Sequence, residues 1–208
     1  MLHLLVEFSG EIMIFLRPYL ISVLILCLAQ VVLADSAPDV PVKDSIYVNI
    51  GGTTPLSPSS FTMKQTSGYN VGIGYGFGLS KLFQLVIDVN ADNFPSNISN
   101  IIGGDMRVGT LLANIRFRVL AEDNPVVPYL IGGIGGAYVT ESAFSYSGLV
   151  FPATSSTNLA LRLGFGIDIR LSQLTSLFVD LSSYGIAGNN GTENFNYSSL
   201  RLGGRFNL

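Results

Sequence analysis

The chain has little of what most enzymes use for acid–base, thiol or metal chemistry. Its single cysteine, Cys27, and its single histidine, His3, both precede Ala34. Beyond Ala34, disulfides and thiolate chemistry are therefore excluded, and no histidine is present to act as a base or a metal ligand. Charged residues make up only 12% of the chain, about half of the usual share. The formal net charge of −3 and the dispersed basic residues argue against nucleic acid as a partner.

A long apolar run is also missing from most of the sequence. Hydrophobic residues make up 48% of the chain, yet beyond Ala34 no run approaches the roughly 18 apolar residues that a membrane-spanning helix requires. Spanning helices therefore do not explain the apolar surplus in that part of the chain. A β-barrel is the other structure that satisfies its own backbone hydrogen bonds inside a membrane.

The N-terminal segment has the features of a secretory signal peptide. Arg17 precedes an apolar stretch that starts at Tyr19 and ends in Val32-Leu33-Ala34. We therefore predict that residues 1–34 are a cleaved signal peptide and that residues 35–208 form a single outer-membrane domain.

Two alternatives concern this segment. An uncleaved membrane helix is disfavoured because the apolar stretch is short and lacks a cytoplasmic or stop-transfer flank. A start of translation at Met13 is a further hypothesis, because it would remove Glu7 and Glu11 from the front of the signal peptide. N-terminal sequencing of the precursor distinguishes the two starts.

Alternation of apolar and polar residues dominates from Ser45 onward and is typical of strands with two different faces. The clearest example covers residues 159–170. One face of it carries Leu159, Leu161, Leu163, Phe165, Ile167 and Ile169. The other carries Ala160, Arg162, Gly164, Gly166, Asp168 and Arg170. Helical spacing is absent, so the pattern predicts a fold built of strands.

Eight segments of this kind are predicted to be strands. They are residues 45–52, 67–78, 82–91, 105–119, 127–139, 157–170, 175–185 and 195–208. The connections at 79–81, 120–126 and 171–174 are short, whereas those around 53–66, 92–104, 140–156 and 186–194 are long and polar. Short periplasmic turns, long outer loops and an even strand number are typical of outer-membrane barrels. The sequence therefore predicts an all-β fold, an eight-stranded antiparallel up-and-down transmembrane β-barrel.

Aromatic and glycine residues add detail to this prediction. Aromatic residues at the predicted strand ends are expected to form interfacial girdles, with Tyr47, Phe77, Phe83, Phe117, Tyr129 and Phe206 at one end and Tyr69, Tyr138, Tyr184, Phe195 and Tyr197 at the other. The pairs Gly132-Gly133 and Gly135-Gly136 leave the phase of the fifth strand open, and a bulge there is a hypothesis.

The placement of charge indicates which face meets lipid. A soluble lipocalin-like barrel would keep its apolar face inside, but an arginine turned toward lipid at mid-depth costs roughly 2–4 kcal/mol. The apolar face is therefore predicted to point outward. The predicted interior charge cluster comprises Asp88, Arg116, Arg118, Arg162, Asp168, Arg170, Asp180, Arg201 and Arg205. These groups are expected to pair and plug the barrel, and Gly72, Gly74, Gly76 and Gly78 are expected to leave room for the arginines.

Over residues 35–208 the sequence resembles the small outer-membrane β-barrel family of the OmpA, OmpX and opacity-protein type. The resemblance is carried by the alternating glycines of 72–78, by the strand at 127–138 and by the C-terminal Arg205-Phe206-Asn207-Leu208. It implies a monomer in the outer membrane of a Gram-negative bacterium. It also implies an assembly signal in the last strand, here at Phe206 and Leu208, although the family usually ends on an aromatic residue.

The leading functional hypothesis is a structural and surface-interaction role that supports envelope integrity and extends to adhesion. The loop at 140–156 is the most apolar, and Phe144, Tyr146 and Phe151 are predicted to form a surface-recognition site. The expected partners are outer-membrane lipid and lipopolysaccharide, the outer-membrane assembly machinery, and a host or envelope protein. A narrow-channel porin is one alternative.

A lipid-modifying enzyme of the outer membrane is the other alternative. It would need an activated serine or a general base near the outer rim, and the lack of histidine beyond Ala34 disfavours it. The loop serines are interpreted as flexible and polar, and the aspartates as partners of arginines. No catalytic residue is predicted. No cofactor or metal is expected, because no histidine, cysteine or carboxylate set has ligand spacing.

Overall fold

The computed structural model describes residues 43–98, 102–120, 124–146, 149–188 and 193–208. The predicted signal peptide, residues 1–34, lies outside the described residues. Eight long antiparallel strands close into a barrel: β1 (Ser45–Ser57), β2 (Gly68–Gly78), β3 (Phe83–Phe94), β5 (Met106–Arg118), β6 (Val126–Glu141), β9 (Thr154–Arg170), β10 (Thr175–Ala187) and β11 (Phe195–Asn207). The short strands β4 (Ile102–Gly103), β7 (Phe144–Tyr146) and β8 (Leu149–Phe151) form a separate sheet, and helix α1 spans Ser59–Lys64.

The predicted eight-stranded antiparallel barrel is confirmed. Each long strand pairs with its neighbour along the chain, and β1 pairs with β11 from Ser45 opposite Asn207 to close the cylinder. We call the end where β1 begins and β11 finishes, together with the three short turns, the turn end. The opposite end is the loop end. None of the helices in the described residues has the length and apolar character needed to cross a membrane.

The strands extend further toward the loop end than the alternation predicts. β1 continues to Ser57, and β6 pairs with β9 as far as Glu141 opposite Thr154. The residues added there are largely polar, so they carry no apolar alternation, but their backbone groups still pair in the ladder. β6 and β9 are the longest strands, at 16 and 17 residues.

The apolar face of the barrel points outward, as predicted. On β9, Leu161, Leu163 and Phe165 are 50%, 74% and 58% exposed, whereas Arg162 and Asp168 on the other face are buried. The same division runs around all eight strands. So much exposed aliphatic surface is stable against lipid hydrocarbon rather than water.

The predicted aromatic girdles are only partly correct. Tyr69, Tyr138, Phe77 and Phe206 do point outward and are exposed. Five of the other predicted girdle residues are buried in the lumen instead, namely Tyr47, Tyr129, Tyr184, Phe195 and Tyr197. Their positions along the strands place them on the charged face, where four of them bring hydroxyl groups into a polar interior.

The inward glycines make room for side chains of neighbouring strands, not for arginines directly. A Cβ at Gly166 would overlap the ring of Tyr129, and one at Gly203 would overlap the ring of Phe178. The alternating glycines of β2 likewise leave space for Asn90, Asp88 and Gln84 of β3. The bulge hypothesis for β6 is wrong, because its register with β5 and β9 runs without a shift.

Substitution of Leu163 by arginine tests which face meets lipid. Leu163 lies near the middle of β9, so we expect Leu163→Arg to lower the free energy of unfolding in phospholipid vesicles by about 2–4 kcal/mol. Thr157→Arg is the control, because Thr157 also faces outward but lies near the loop end, where the cost falls to about 0–1 kcal/mol. Urea titrations, monitored by heat-dependent gel mobility, measure the stability of both variants. Equal losses in the two variants would contradict the assignment of the apolar face to lipid.

Candidate functional site

Toward the turn end, the lumen holds an ion-pair group drawn from three strands. Arg116 of β5 lies 2.8 Å from Asp168 of β9, and Arg205 of β11 lies 3.1 Å from the other oxygen of the same carboxylate. The guanidinium of Arg116 also lies 3.5 Å from the ring centroid of Tyr129 and donates to the Tyr47 hydroxyl at 2.8 Å. One carboxylate thus joins β5, β9 and β11 across the barrel.

A second group fills the middle of the lumen. Arg162 of β9 donates to Asp88 of β3 at 2.8 Å and to Asp180 of β10 at 2.9 Å. Arg201 of β11 binds Asp180 at 2.7 Å, and the Ser182 hydroxyl donates to the same carboxylate at 2.6 Å. The hydroxyl of Tyr129 donates to Asp180 at 3.2 Å and thereby connects the two groups.

The structure brings together eight of the nine residues predicted for the interior charge cluster. Asp88, Arg116, Arg118, Arg162, Asp168, Asp180, Arg201 and Arg205 are all buried, each at most 5% exposed. Arg118 lies nearest the turn end and donates to the Gln84 amide oxygen at 3.1 Å. Arg170 does not belong to the cluster. It is the last residue of β9, is partly exposed, and donates from Nε to the Ser172 carbonyl at 3.3 Å.

Pairing makes burial of these charges tolerable. An ion taken out of water loses several kcal/mol of solvation, which is recovered only when a partner and hydrogen bonds replace the water. The space left between the charged groups has a volume of about 30 Å³, enough for about two water molecules. We call the two ion-pair groups together the charged layer. Its side chains fill this part of the lumen almost completely.

The half of the lumen nearer the loop end contains a large cluster of apolar and aromatic side chains, which the sequence analysis missed, beside buried polar residues that include Asn70 and Asp92. The buried side chains of the cluster are Phe61, Phe94, Met106, Val108, Leu112, Ala137, Ala160, Tyr184, Ile186, Phe195 and Tyr197. The rings of Tyr184 and Tyr197 stack at 4.7 Å. Position within each strand could have identified these residues, since Leu112 lies an even number of residues from Arg116, but their apolar character pointed to the lipid face.

The loop end carries a structure that we call the cap, which consists of α1 together with β4, β7 and β8. Phe61 of α1 belongs to the apolar cluster in the lumen, with its ring centroid 5.3 Å from Phe94 and 4.9 Å from Phe195. The segment after α1 is held by backbone bonds from Thr66 to Pro95 at 2.9 Å and from Asn97 to Lys64 at 2.8 Å.

The predicted surface-recognition residues lie in the cap. Phe144 of β7 stacks on Phe151 of β8 at 4.6 Å, so the two predicted aromatics form a pair. Phe151 is 41% exposed, and its neighbours Leu149 and Val150 are 64% and 76% exposed. The side chain of Tyr146 lies outside the described part of the structure.

The predicted assembly residues lie at the turn end. Phe206 points outward from β11 and is 43% exposed, and Leu208 follows the strand and is 63% exposed. The Leu208 backbone amide donates to the Asp44 carbonyl at 2.9 Å. Within the described ranges, no group of three or more histidine, cysteine or acidic side chains is arranged to hold a metal ion.

A comparison with protein families identifies this arrangement. The family described as outer membrane protein beta-barrel domain matches residues 20–207. The chain belongs to this family. The protein is thus an outer-membrane barrel, as the sequence predicts. In such barrels the turn end faces the periplasm and the loop end faces the outside.

Solved structures of other outer-membrane barrels share the fold. Neisserial surface protein A is 15% identical, with a TM-score of 0.61 over 79% of this chain and 97% of that one. The attachment invasion locus protein Ail of Yersinia pestis is 16% identical, with a TM-score of 0.53 over 81% and 100%. The N-terminal barrel of OprF from Pseudomonas aeruginosa is 12% identical, with a TM-score of 0.51 over 81% and 100%. A search of curated proteins found no match.

Removal of the central arginine tests the charged layer of this outer-membrane barrel. Arg162→Met would leave Asp88 and Asp180 buried without one of their cations, so we expect the free energy of unfolding in vesicles to fall by about 3–5 kcal/mol. Arg170→Met removes the same charge from a partly exposed site and should change stability by less than about 1 kcal/mol. Similar losses for the two variants would show that Arg162 is not held in a dry network.

Proposed function

We propose that this protein is a closed structural barrel of the outer membrane that presents its cap at the cell surface for contact with another macromolecule. The observation that carries the proposal is the combination of a filled lumen and an exposed apolar strand in the cap. The first leaves little room for solute transport, and the second provides a surface for a partner.

The charged layer supports a structural role. Arg162, Asp180 and Asp168 join groups from six strands, β3, β5, β6, β9, β10 and β11, in one connected network. A solute that crossed this layer would have to separate buried ion pairs, which is unfavourable in a low-dielectric interior. The network therefore favours a rigid membrane anchor over a narrow-channel porin.

The cap supports the surface role. β8 lies at the edge of the three-stranded sheet, where it pairs with β7 on one side. Leu149, Val150 and Phe151 of this strand are all exposed. An exposed apolar edge strand is a site at which a partner protein adds a strand of its own. A host or envelope protein is the partner class that this surface fits.

The charges at the loop end indicate which partner chemistry does not fit. The attachment invasion locus protein Ail has also been solved with sucrose octasulfate, a heparin analogue. The described charged side chains near the loop end here are Lys64 and Arg107 against Asp105, Glu141 and Glu193. This balance is acidic and does not favour a polyanion, so we extend to this chain a surface role but not that ligand class.

Conductance in planar bilayers tests the closed lumen. We expect the purified protein to give no steady current above that of protein-free bilayers, because the charged layer leaves space for about two water molecules. Phe61→Ala should also remain closed, since it opens the cap but not the charged layer. Stable conductance steps from the unmodified protein would instead favour the narrow-channel porin.

Substitution in β8 tests the cap surface. In a deletion strain complemented with variants, Val150→Lys should lower adherence to cultured cells and detergent resistance toward the level of the deletion, because lysine blocks edge pairing. Met63→Ser is the matched control, since Met63 of α1 is 71% exposed but lies outside the sheet. If Val150→Lys behaves as the unmodified protein, the surface role of β8 is wrong.

Altered lipid A mass spectra in the deletion strain would favour the lipid-modifying enzyme.

A further inference from the structure

A cavity of about 390 Å³ opens at the loop end beside α1. This volume lies within the range typical of small-molecule sites. α1 forms one wall, and Glu141 of β6 with Thr154 and Asn158 of β9 form the wall opposite. The cavity is separate from the exposed strand β8 that carries the proposed function.

Two contacts hold the α1 wall in place. The hydroxyl of Ser60 donates to the Glu193 carboxylate at 2.6 Å, and Phe61 packs between Phe94 and Phe195. The opposite wall is the rim of β6 and β9, which pair with each other up to Glu141. The cavity is thus bounded by anchored elements on both sides.

Part of the lining is apolar. Phe61, Met106 and Phe195 are each less than 10% exposed, and Val139 of β6 is half-buried beside them. These side chains belong to the apolar cluster of the lumen or pack against it, so the cluster reaches the cavity. They would bury the hydrocarbon part of a ligand.

Two buried amides lie beside the cavity. Gln65 and Asn158 line it and are 4% and 5% exposed. The Gln65 NH₂ group donates to the Gly104 carbonyl at 3.1 Å, and the Asn158 NH₂ group donates to the Ser156 hydroxyl at 2.8 Å. The two carbonyl oxygens accept no hydrogen bond from the described residues and have almost no accessible surface, so both amides lie behind the cavity surface.

The net charge of the cavity lining favours a cationic ligand over an anionic one. Glu141 and Glu193 contribute two carboxylates, and Lys64 contributes one ammonium group, so the lining carries one net negative charge. Buried acceptors are stabilised by donors, and carboxylates are stabilised by cations. A ligand anion would be repelled by the two carboxylates, whereas a cation would neutralise them.

We propose that this cavity binds a small amphipathic molecule with a primary ammonium or guanidinium group on an apolar body. The cationic group is neutralised by Glu141 and Glu193 of the lining. The apolar body packs against Phe61. The proposal goes beyond the proposed function and does not depend on a partner at β8.

The test uses the mature chain in lipid nanodiscs and 4-phenylbutylammonium as the probe. Calorimetric titration, with empty nanodiscs subtracted, should show saturable binding at one site per chain. 4-Phenylbutanoate and 4-phenylbutanol have the same apolar body without the cation and should bind at least about tenfold more weakly. Binding should shift the side-chain amide NMR signals of Gln65 and Asn158.

Variants identify the groups responsible. Glu141→Gln and Glu193→Gln should each weaken binding of the ammonium probe roughly tenfold, and Lys64→Gln should strengthen it. Thr154→Trp should block the cavity by size. Asp44→Asn, which removes the same charge at the turn end, is the matched control and should leave binding unchanged. Heat-dependent gel mobility verifies that each variant folds.

Three results would overturn the proposal. The first is no saturable binding above empty nanodiscs. The second is equal or tighter binding of the butanoate or the butanol, which would show that no cation is selected. The third is loss of binding in neither glutamate variant, or loss in the Asp44→Asn control to the same extent.

Discussion

The pairing of Arg162 with Asp88 and Asp180 is the interaction on which the rest of the structure depends. A guanidinium enclosed by a cylinder of strands in lipid has no bulk water, so it must have carboxylates on neighbouring or opposite strands. That requirement couples the registers of β3, β9 and β10, because a shift of one residue in the register of a strand would point the partner's side chain toward the lipid. The inward glycines follow from it, since the lumen is narrow and large side chains need space on adjacent strands.

The charged layer occupies only part of the lumen, and this division shapes the two ends of the molecule. Toward the loop end the interior contains a cluster of aromatic and aliphatic side chains, and Phe61 of α1 is part of this cluster. An apolar interior near water requires a cover, which explains why α1 is packed and hydrogen-bonded rather than an extended loop. The cavity at the loop end, which we call the mouth cavity, lies beside α1. Phe61 of α1 packs against Phe94 of β3 and Phe195 of β11, which leaves space beside β6 and β9.

The candidate sites differ in how far sequence reasoning could reach them. Phe144 and Phe151 are unusual apolar residues in a polar loop, and that contrast led to the predicted surface-recognition site; in the structure Phe151 is exposed and Phe144 is partly buried. The mouth cavity left no such trace. Gln65 and Asn158 are ordinary polar residues in distant segments, and only barrel closure brings them to one cavity. Arg170 shows the opposite error, because its alternation matches the interior but the strand ends there.

The sequence by itself determined the number of strands, their antiparallel order and the face that meets lipid. Each of these follows from short-range alternation and from the energetic cost of placing charge in hydrocarbon. The tertiary structure decided which inward residues pair, the phase of the glycine-rich strand β6, the inward turn of Tyr184 and Tyr197, and the form of the cap. These features depend on contacts between residues far apart in the chain, and a period of two along one strand carries no information about the strand opposite.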